Sequence, residues 1–256
     1  KSDAPASSLR GRRPLSSTQT NPARTRTGTG QLSGTVANTH LARQRAYIAR
    51  VREAARTQAC LWPSIKTFQR GVAEPKIDSY LLALAASPFA SGAHVLDAFA
   101  GSGVVGFALA HQAQSVTFAD ISADSTAFLR EEIEMLPESK KFRATHGDAA
   151  SLSIDTFDLI VANPPYTNQL VSDDVDAICF DAEHLGVDRF IRAIAHQMQT
   201  TAHCFLSWAN FEDYSWLEAR FTDSGLSFQV AAEIREPGDP TAWFGYRVYH
   251  LRRSDS

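Results

Sequence analysis

A chain of 256 residues is long enough for one sizeable α/β domain and a modest appendage. Its 44% hydrophobic and 21% charged content is that of an ordinary globular protein, and no run of about 18 apolar residues is present, which argues against a helical membrane span. The net charge of −3 conceals an uneven distribution: residues 1–60 hold 11 Lys or Arg against 2 Asp or Glu, whereas residues 61–256 hold 14 against 26, so a basic arm precedes an acidic body.

Residues 1–38 are rich in Ser, Thr, Arg, Gly and Pro and poor in large apolar side chains, so they bury too little surface to offset the entropy of ordering. A disordered basic arm is expected there; the same Arg-rich, acid-poor composition would also suit an organelle-targeting leader. From 39 to 60, LARQRAYIARVREAARTQA sets Leu41, Ile48, Val51 and Ala55 near one face among several Arg, which predicts a basic helix. Such a helix could meet nucleic-acid phosphates or the acidic body of its own chain. Cys60, Cys179 and Cys204 are widely spaced without a CxxC pair, and the eight His show no HExxH or HxH spacing. No metal site is expected, and isolated thiols fit a reducing, cytoplasmic setting.

The remaining residues, 61–256, read as one domain. KIDSYLLALAAS, about 76–87, predicts a helix that ends before Pro88. HVLDAF (94–99) is a short buried strand, VVGFALAHQ a helix, SVTFAD (115–120) a strand, and SADSTAFLREEIEML a helix capped by Ser122. FRATHGD (142–148), FDLIVAN (157–163) and AHCFLSWAN (202–210) add three strands, and two more fall near 227–235 and 245–252. The last two are joined through EPGDPTAWF, with Trp243 and Phe244 at a hairpin tip. Strands alternating with helices predict an α/β fold with a mostly parallel, doubly wound seven-stranded sheet that closes in an antiparallel C-terminal pair.

Chemistry gathers at the carboxyl ends of those strands. AFAGSGVVGFA carries Gly101-x-Gly103-x-x-Gly106 on a strand-to-helix turn, a pattern that lets a ligand approach the backbone and serves several cofactors. Asp97 just before the turn would repel a pyrophosphate but could face a cationic amino-acid moiety. Asp120 ends the second strand, where an acid can accept from both ribose hydroxyls, and Asp148 ends the third, where it can accept from an adenine amine. Singly each acid could be a helix cap; three at successive strand ends suggest S-adenosylmethionine over a nicotinamide cofactor.

In the order DAFAGSG, FAD, HGD and NPPY, the chain resembles the class I S-adenosylmethionine-dependent methyltransferases, specifically the branch that methylates planar amino or amide nitrogens. The resemblance spans roughly 71–252 and implies a Rossmann-like class I domain over 61–256 with S-adenosylmethionine as cofactor. It implies contacts from Asp97, Gly101 and Gly103 near the methionine part, Asp120 at the ribose and Asp148 at the adenine. Phe99, Ile121, Ala149 and Asn163 complete the implied cofactor set.

The NPPY stretch, Asn163-Pro164-Pro165-Tyr166, has its own logic. A planar amide or aryl amine is a poor nucleophile because its lone pair is delocalised. The Asn163 side-chain oxygen and the Pro164 carbonyl can accept both N–H hydrogens and draw the nitrogen towards tetrahedral geometry. Pro164 and Pro165 hold φ near about −65° and remove two competing donors, and Tyr166 offers a flat face for stacking.

Residues 176–198 are similar, through Gly186, Asp188 and Phe190, to the stretch that follows NPPY in HemK-like protein glutamine methyltransferases, which implies a protein side chain as acceptor. Adenine-specific nucleic acid methyltransferases are the rival resemblance. AFAGSG and GVAEPKIDSY are similar to their DNA-modifying members, and Trp208 or Phe211 in SWANF could oppose Tyr166 across a flipped base. A small-molecule amine is a third candidate. The acidic body would leave the basic arm to anchor any nucleic acid, and the sequence carries no sign of oligomeric state.

Overall fold

The structure, a computed structural model, describes residue 72 and residues 77–168, 180–210, 214–236 and 244–254. The arm at 1–38, the helix expected at 39–60, Cys60, Cys179, Phe211 and Trp243 lie outside the described residues. In chain order the elements are α1 (Ile77–Ala86), β1 (His94–Ala98), α2 (Val104–Leu109), β2 (Ser115–Asp120), α3 (Ala123–Glu134), β3 (Phe142–His146) and β4 (Leu159–Ala162). They continue with α4 (Leu185–Gln197), β5 (His203–Ala209), α5 (Tyr214–Asp223), β6 (Leu226–Glu236) and β7 (Phe244–Arg253).

The seven strands form one sheet in the order β3-β2-β1-β4-β5-β7-β6. β1 pairs in parallel with β2 and β4, β2 with β3, and β4 with β5, whereas β7 runs antiparallel to both β5 and β6. This is the mostly parallel α/β sheet with an antiparallel closing pair that the alternating pattern predicts. The late strands form a hairpin, but α5 between β5 and β6 was not anticipated. Its sequence, YSWLEARFTD, mixes aromatic and charged residues and buries only Leu217 and Phe221, so its periodicity is faint.

Both faces of the sheet are covered, which explains why the central strands are apolar without interruption. All four residues of β4, LIVA, are buried. On one face Val95, Val161 and Phe205 pack with Leu82, Val105, Leu109, Phe128 and Leu129, from α1, α2 and α3. On the other, Leu96, Ile160, Leu206 and Trp208 pack with Phe190, Ile191, Ile194, Leu217 and Phe221 of α4 and α5. The switch of face from one residue to the next is the period-two rule of a strand. Among the described residues no helix is long and apolar enough to cross a membrane.

The chain leaves β1 towards β2 and β3, then returns to β4 on the opposite side of β1. At such a reversal the connections diverge and open a crevice at the carboxyl ends of the two strands. The glycine turn follows β1 and NPPY follows β4, so both motifs face that crevice.

Candidate active site

The turn after β1 is held in left-handed backbone: φ is 58° at Phe99, 53° at Gly101 and 74° at Gly103. Gly106, one turn into α2, serves close packing instead. A Cβ there would meet Phe118 Cε1 at 2.4 Å and Asp97 Oδ2 at 2.9 Å. That contact lets the Gly106 N–H donate to Asp97 Oδ2 at 2.8 Å, fastening α2 to the end of β1. Asp97 is only 2% exposed, and burial pushes its carboxyl up to about 8, with the Gly106 N–H opposing and Asp120 adding to the rise. Asp97 does not line the cleft described next. In the structure Asp97 fastens the glycine turn through Gly106, and Gly101 and Gly103 shape that turn through their positive φ.

A cleft of about 280 Å³ opens at the carboxyl ends of β1, β2 and β3. One wall holds Phe99, Asp120, Ile121, Gly147, Asp148 and Ala149; the other holds Pro165, Phe180, Asp181, Ala182, Gly186 and Arg189. Asp120 accepts from the Gly101 N–H and from the Ser122 N–H, each at 2.8 Å. It thereby ties the first glycine turn to the start of α3, where Ser122 is the N-cap and accepts from Ser125 N at 3.2 Å. Burial raises the Asp120 carboxyl, while the Ser122 and Gly101 N–H groups and His146 pull it down. Asp148 accepts from the Ala150 N–H at 2.9 Å and pairs its other oxygen with Arg189, at 3.1 Å to both Nε and Nη2.

The opposite wall is organised by Asp181. Its two oxygens accept from the Gly186 and Val187 N–H groups, each at 2.9 Å, and so satisfy the first turn of α4. A Cβ on Gly186 would sit 3.1 Å from Asp181 Oδ2, which explains a glycine there. Asp188 faces Arg192 at 2.8 Å on the helix surface, and Phe190 is buried edge-on to Phe99, 5.3 Å between centroids.

Beside this cleft lies a second, closed assembly. Asn163 Nδ2 donates to Asp78 Oδ2 at 3.3 Å and to Ser79 Oγ at 3.2 Å. The Tyr166 hydroxyl lies 2.8 Å from Asp78 Oδ2 and 2.9 Å from Ser207 Oγ, and it also adjoins Asn163 Oδ1. The Ser207 hydroxyl donates to Asn163 Oδ1. Asp78, Ser79 and Ser207 were not singled out from the sequence. An acid in the first turn of a helix is routine, so Asp78 gave no signal; Ser207, a hydroxyl inside the apolar run CFLSWA, was the one available clue.

Two expectations are corrected here. Tyr166 is 2% exposed and belongs to the core on the α4 and α5 face, so it offers no open surface for stacking. Trp208 is fully buried, edge-on to Tyr166 at 5.7 Å and stacked with Trp216 at 5.9 Å, and therefore offers no open face across a flipped base. The cause is strand alternation: Cys204, Leu206 and Trp208 share the inward face of β5. The structure thus brings Phe99, Asp120, Ile121, Asp148, Ala149 and Pro165 to one cleft, sets Asn163 and Tyr166 in the adjoining network, buries Pro164, and leaves Phe211 outside the described residues.

The family model described as Conserved hypothetical protein 95 matches residues 81–213, more than half of the chain. No curated protein matches. Among solved structures, a chain of the E. cuniculi Mtq2-Trm112 complex, responsible for methylation of the eRF1 translation termination factor, superposes with a TM-score of 0.56 at 19% identity, over 72% of this chain and 99% of that one. A ribosomal protein L11 methylase from Lactobacillus delbrueckii subsp. bulgaricus superposes with a TM-score of 0.52 at 18% identity, over 75% and 90% of the two chains. A putative RNA methyltransferase from Pyrococcus horikoshii also gives 0.52, at 17% identity, over 81% and 100%. The fold is therefore that of the Rossmann-like class I methyltransferases.

Proposed function

We propose that this chain, which belongs to the family described as Conserved hypothetical protein 95, is an S-adenosylmethionine-dependent N-methyltransferase that acts on a planar amide or exocyclic amino nitrogen. One observation carries the reading. Pro165 of NPPY lines the same cleft as Asp120 and Asp148, so an acceptor motif and cofactor-type carboxylates meet at the crevice between β1 and β4.

The residues present fit that cofactor. Each Asp120 oxygen accepts one N–H, which leaves lone pairs for two ribose hydroxyls. Phe99 and the exposed Ile121 supply apolar walls for a flat base, and Asp148 with Ala149 closes the far end. When bound, the cofactor supplies a methyl group on a sulfonium, already activated for transfer. The protein's part is then to hold the acceptor. Asn163 Oδ1 and the Pro164 carbonyl accept its N–H hydrogens and localise the lone pair, and the surplus proton passes to water.

Within that class, a protein glutamine amide is the favoured acceptor, as the similarity of 176–198 to HemK-like enzymes suggests. Its support in the structure is the burial of Tyr166 and Trp208, since gripping a flipped base requires open aromatic faces. Methylation of adenine in DNA or RNA is the alternative. The neighbours' own names divide between protein and RNA methylation and so do not choose. The proposed setting is cytoplasmic, in keeping with isolated cysteines of which Cys204 is buried.

Two measurements test the proposal. S-adenosylhomocysteine, but not NAD, should raise the melting temperature; at 100 times its Kd a ligand adds about 2.7 kcal/mol. Incubation with methyl-labelled S-adenosylmethionine and lysate split by nuclease or protease should put the label in the protease-sensitive fraction. Label in the nuclease-sensitive fraction would move the assignment to adenine, and stabilisation by NAD alone would remove the methyltransferase reading.

A further inference from the structure

Asp78 and Asn163 are 85 residues apart in sequence, yet their side chains meet beneath the NPPY turn. Asp78 is 3% exposed, and a carboxylate so buried requires donors on its oxygens. It has them: the Ser79 N–H at 2.9 Å on Oδ1, and the Asn163 amide at 3.3 Å with the Tyr166 hydroxyl at 2.8 Å on Oδ2. An ionised carboxylate only accepts, whereas a primary amide has one donating and one accepting end. Opposite Asp78, Asn163 must therefore present its NH₂. Its carbonyl oxygen is turned the other way, towards the hydroxyls of Ser207 on β5 and of Tyr166.

We propose that Asp78, seconded by Ser79, is the positioning residue that fixes the flip of the Asn163 amide, with its NH₂ towards the carboxylate and its oxygen towards Ser207 and Tyr166. This deepens, and rests on, the N-methyltransferase reading. Proton bookkeeping supports it. The Tyr166 hydroxyl has one proton, and the charged Asp78 oxygen is the stronger of its acceptors. The Ser207 proton then goes to Asn163 Oδ1, the oxygen that the Tyr166 hydroxyl also adjoins. Without the carboxylate nothing would distinguish the two ends of the amide, because Ser79 and Ser207 hydroxyls can each donate or accept. An inverted Asn163 would set its NH₂ where the N-methyltransferase reading needs an acceptor oxygen.

The test uses the full chain and two independent readouts. Asp78→Asn preserves volume but can donate as well as accept, so Asn163 is free to invert. Methyl transfer from labelled S-adenosylmethionine to the lysate fraction that accepts it should lose about 10- to 100-fold in kcat, while S-adenosylhomocysteine affinity and melting temperature change little. The exchanged pair, Asp78→Asn with Asn163→Asp, restores one donor facing one acceptor and an oxygen towards Ser207, and should recover much of the loss. A merely structural role would predict no recovery. The second readout is the Asn163 side-chain NH₂ pair in a ¹H–¹⁵N spectrum, identified by its disappearance in Asn163→Ala. In Asp78→Asn, and in Ser79→Ala should the first variant fail to fold, that pair should shift and exchange faster with water. Unchanged amide resonances would overturn the proposal whatever the catalytic result. If the wild-type chain transfers no methyl group while the resonances respond as expected, the fault lies with the methyltransferase reading and the positioning stands.

Discussion

The cleft beside β1 to β3 and the network beneath NPPY sit at the same sheet edge but are built on opposite terms. In the cleft, Asp120 and Asp148 stand at strand ends; Asp120 takes its hydrogen bonds from the Gly101 and Ser122 N–H groups, Asp148 from the Ala150 N–H and the Arg189 guanidinium, and both line the opening. In the network, Asp78 of α1, Asn163 and Tyr166 of the NPPY turn and Ser207 of β5 come from three separate places in the chain and bond one another, with Asp78, Tyr166 and Ser207 buried. Open carboxylates suit recognition of hydroxyls and amines that come and go. A closed network suits rigid aim, since buried polar groups with every partner in place hold one geometry.

Separate variants should break the two regions separately. The largest effect is expected from Asn163→Ala. Methyl transfer should fall by at least about 100-fold, as on loss of a transition-state acceptor, while S-adenosylhomocysteine binding stays within a few-fold by calorimetry. Unchanged turnover would sink the assigned role. Asp120→Ala should do the reverse: S-adenosylhomocysteine binding weakens by about 10- to 100-fold, the loss of hydrogen bonds to a charged group, and transfer at saturating cofactor stays near the wild-type rate. Equal damage to binding and transfer from both variants would erase the distinction between the regions.

A smaller effect sharpens the contrast. Tyr166→Phe keeps the ring in the core but removes a donor from the buried Asp78 carboxylate. It should lower stability by about 1–3 kcal/mol in urea titration. If Tyr166 were only a stacking surface, stability would not change.

A pH-dependent contrast concerns Asp97, which links the glycine turn to the fold. Its folded carboxyl is raised to about 8 from 3.8, so between those values the folded state holds a proton that the unfolded state has released. Its contribution is fully present below pH 3.8 and fades as pH rises towards 8. Asp97→Asn, which still accepts from Gly106, should therefore raise the melting temperature at pH 8 and leave it unchanged near pH 4. An equal shift at both pH values would show that the carboxyl is not titrating in that window.

Much of the molecule was readable in one dimension because its signals are local. The SVTFAD strand at Ser115–Asp120, the Ser122 cap and the seven-strand pattern depend on period-two burial and on side chains that bond within three residues of themselves. Two of the three acids that line the cleft are legible for the same reason, Asp120 and Asp148 sitting where their strands end, whereas Asp181, which holds the first turn of α4, was not singled out. Asp97 shares that position and reads alike, yet its side chain turns back to Gly106, because α2 packs too closely to leave it exposed.

What the linear chain determined by itself, then, was the α/β class, two of the cleft acids and the presence of an Asn-Pro-Pro-Tyr turn after an apolar strand. Only the tertiary structure decided what surrounds that turn. Parallel pairing of β1 with β4 and of β4 with β5 brings Asp78 and Ser207 against Asn163 from 85 and 44 residues away, and inward alternation on β5 carries Trp208 into the core against Tyr166. Composition and periodicity register which face a residue turns. They do not register which distant residue it will meet, and for a buried amide that partner sets which end can do chemistry.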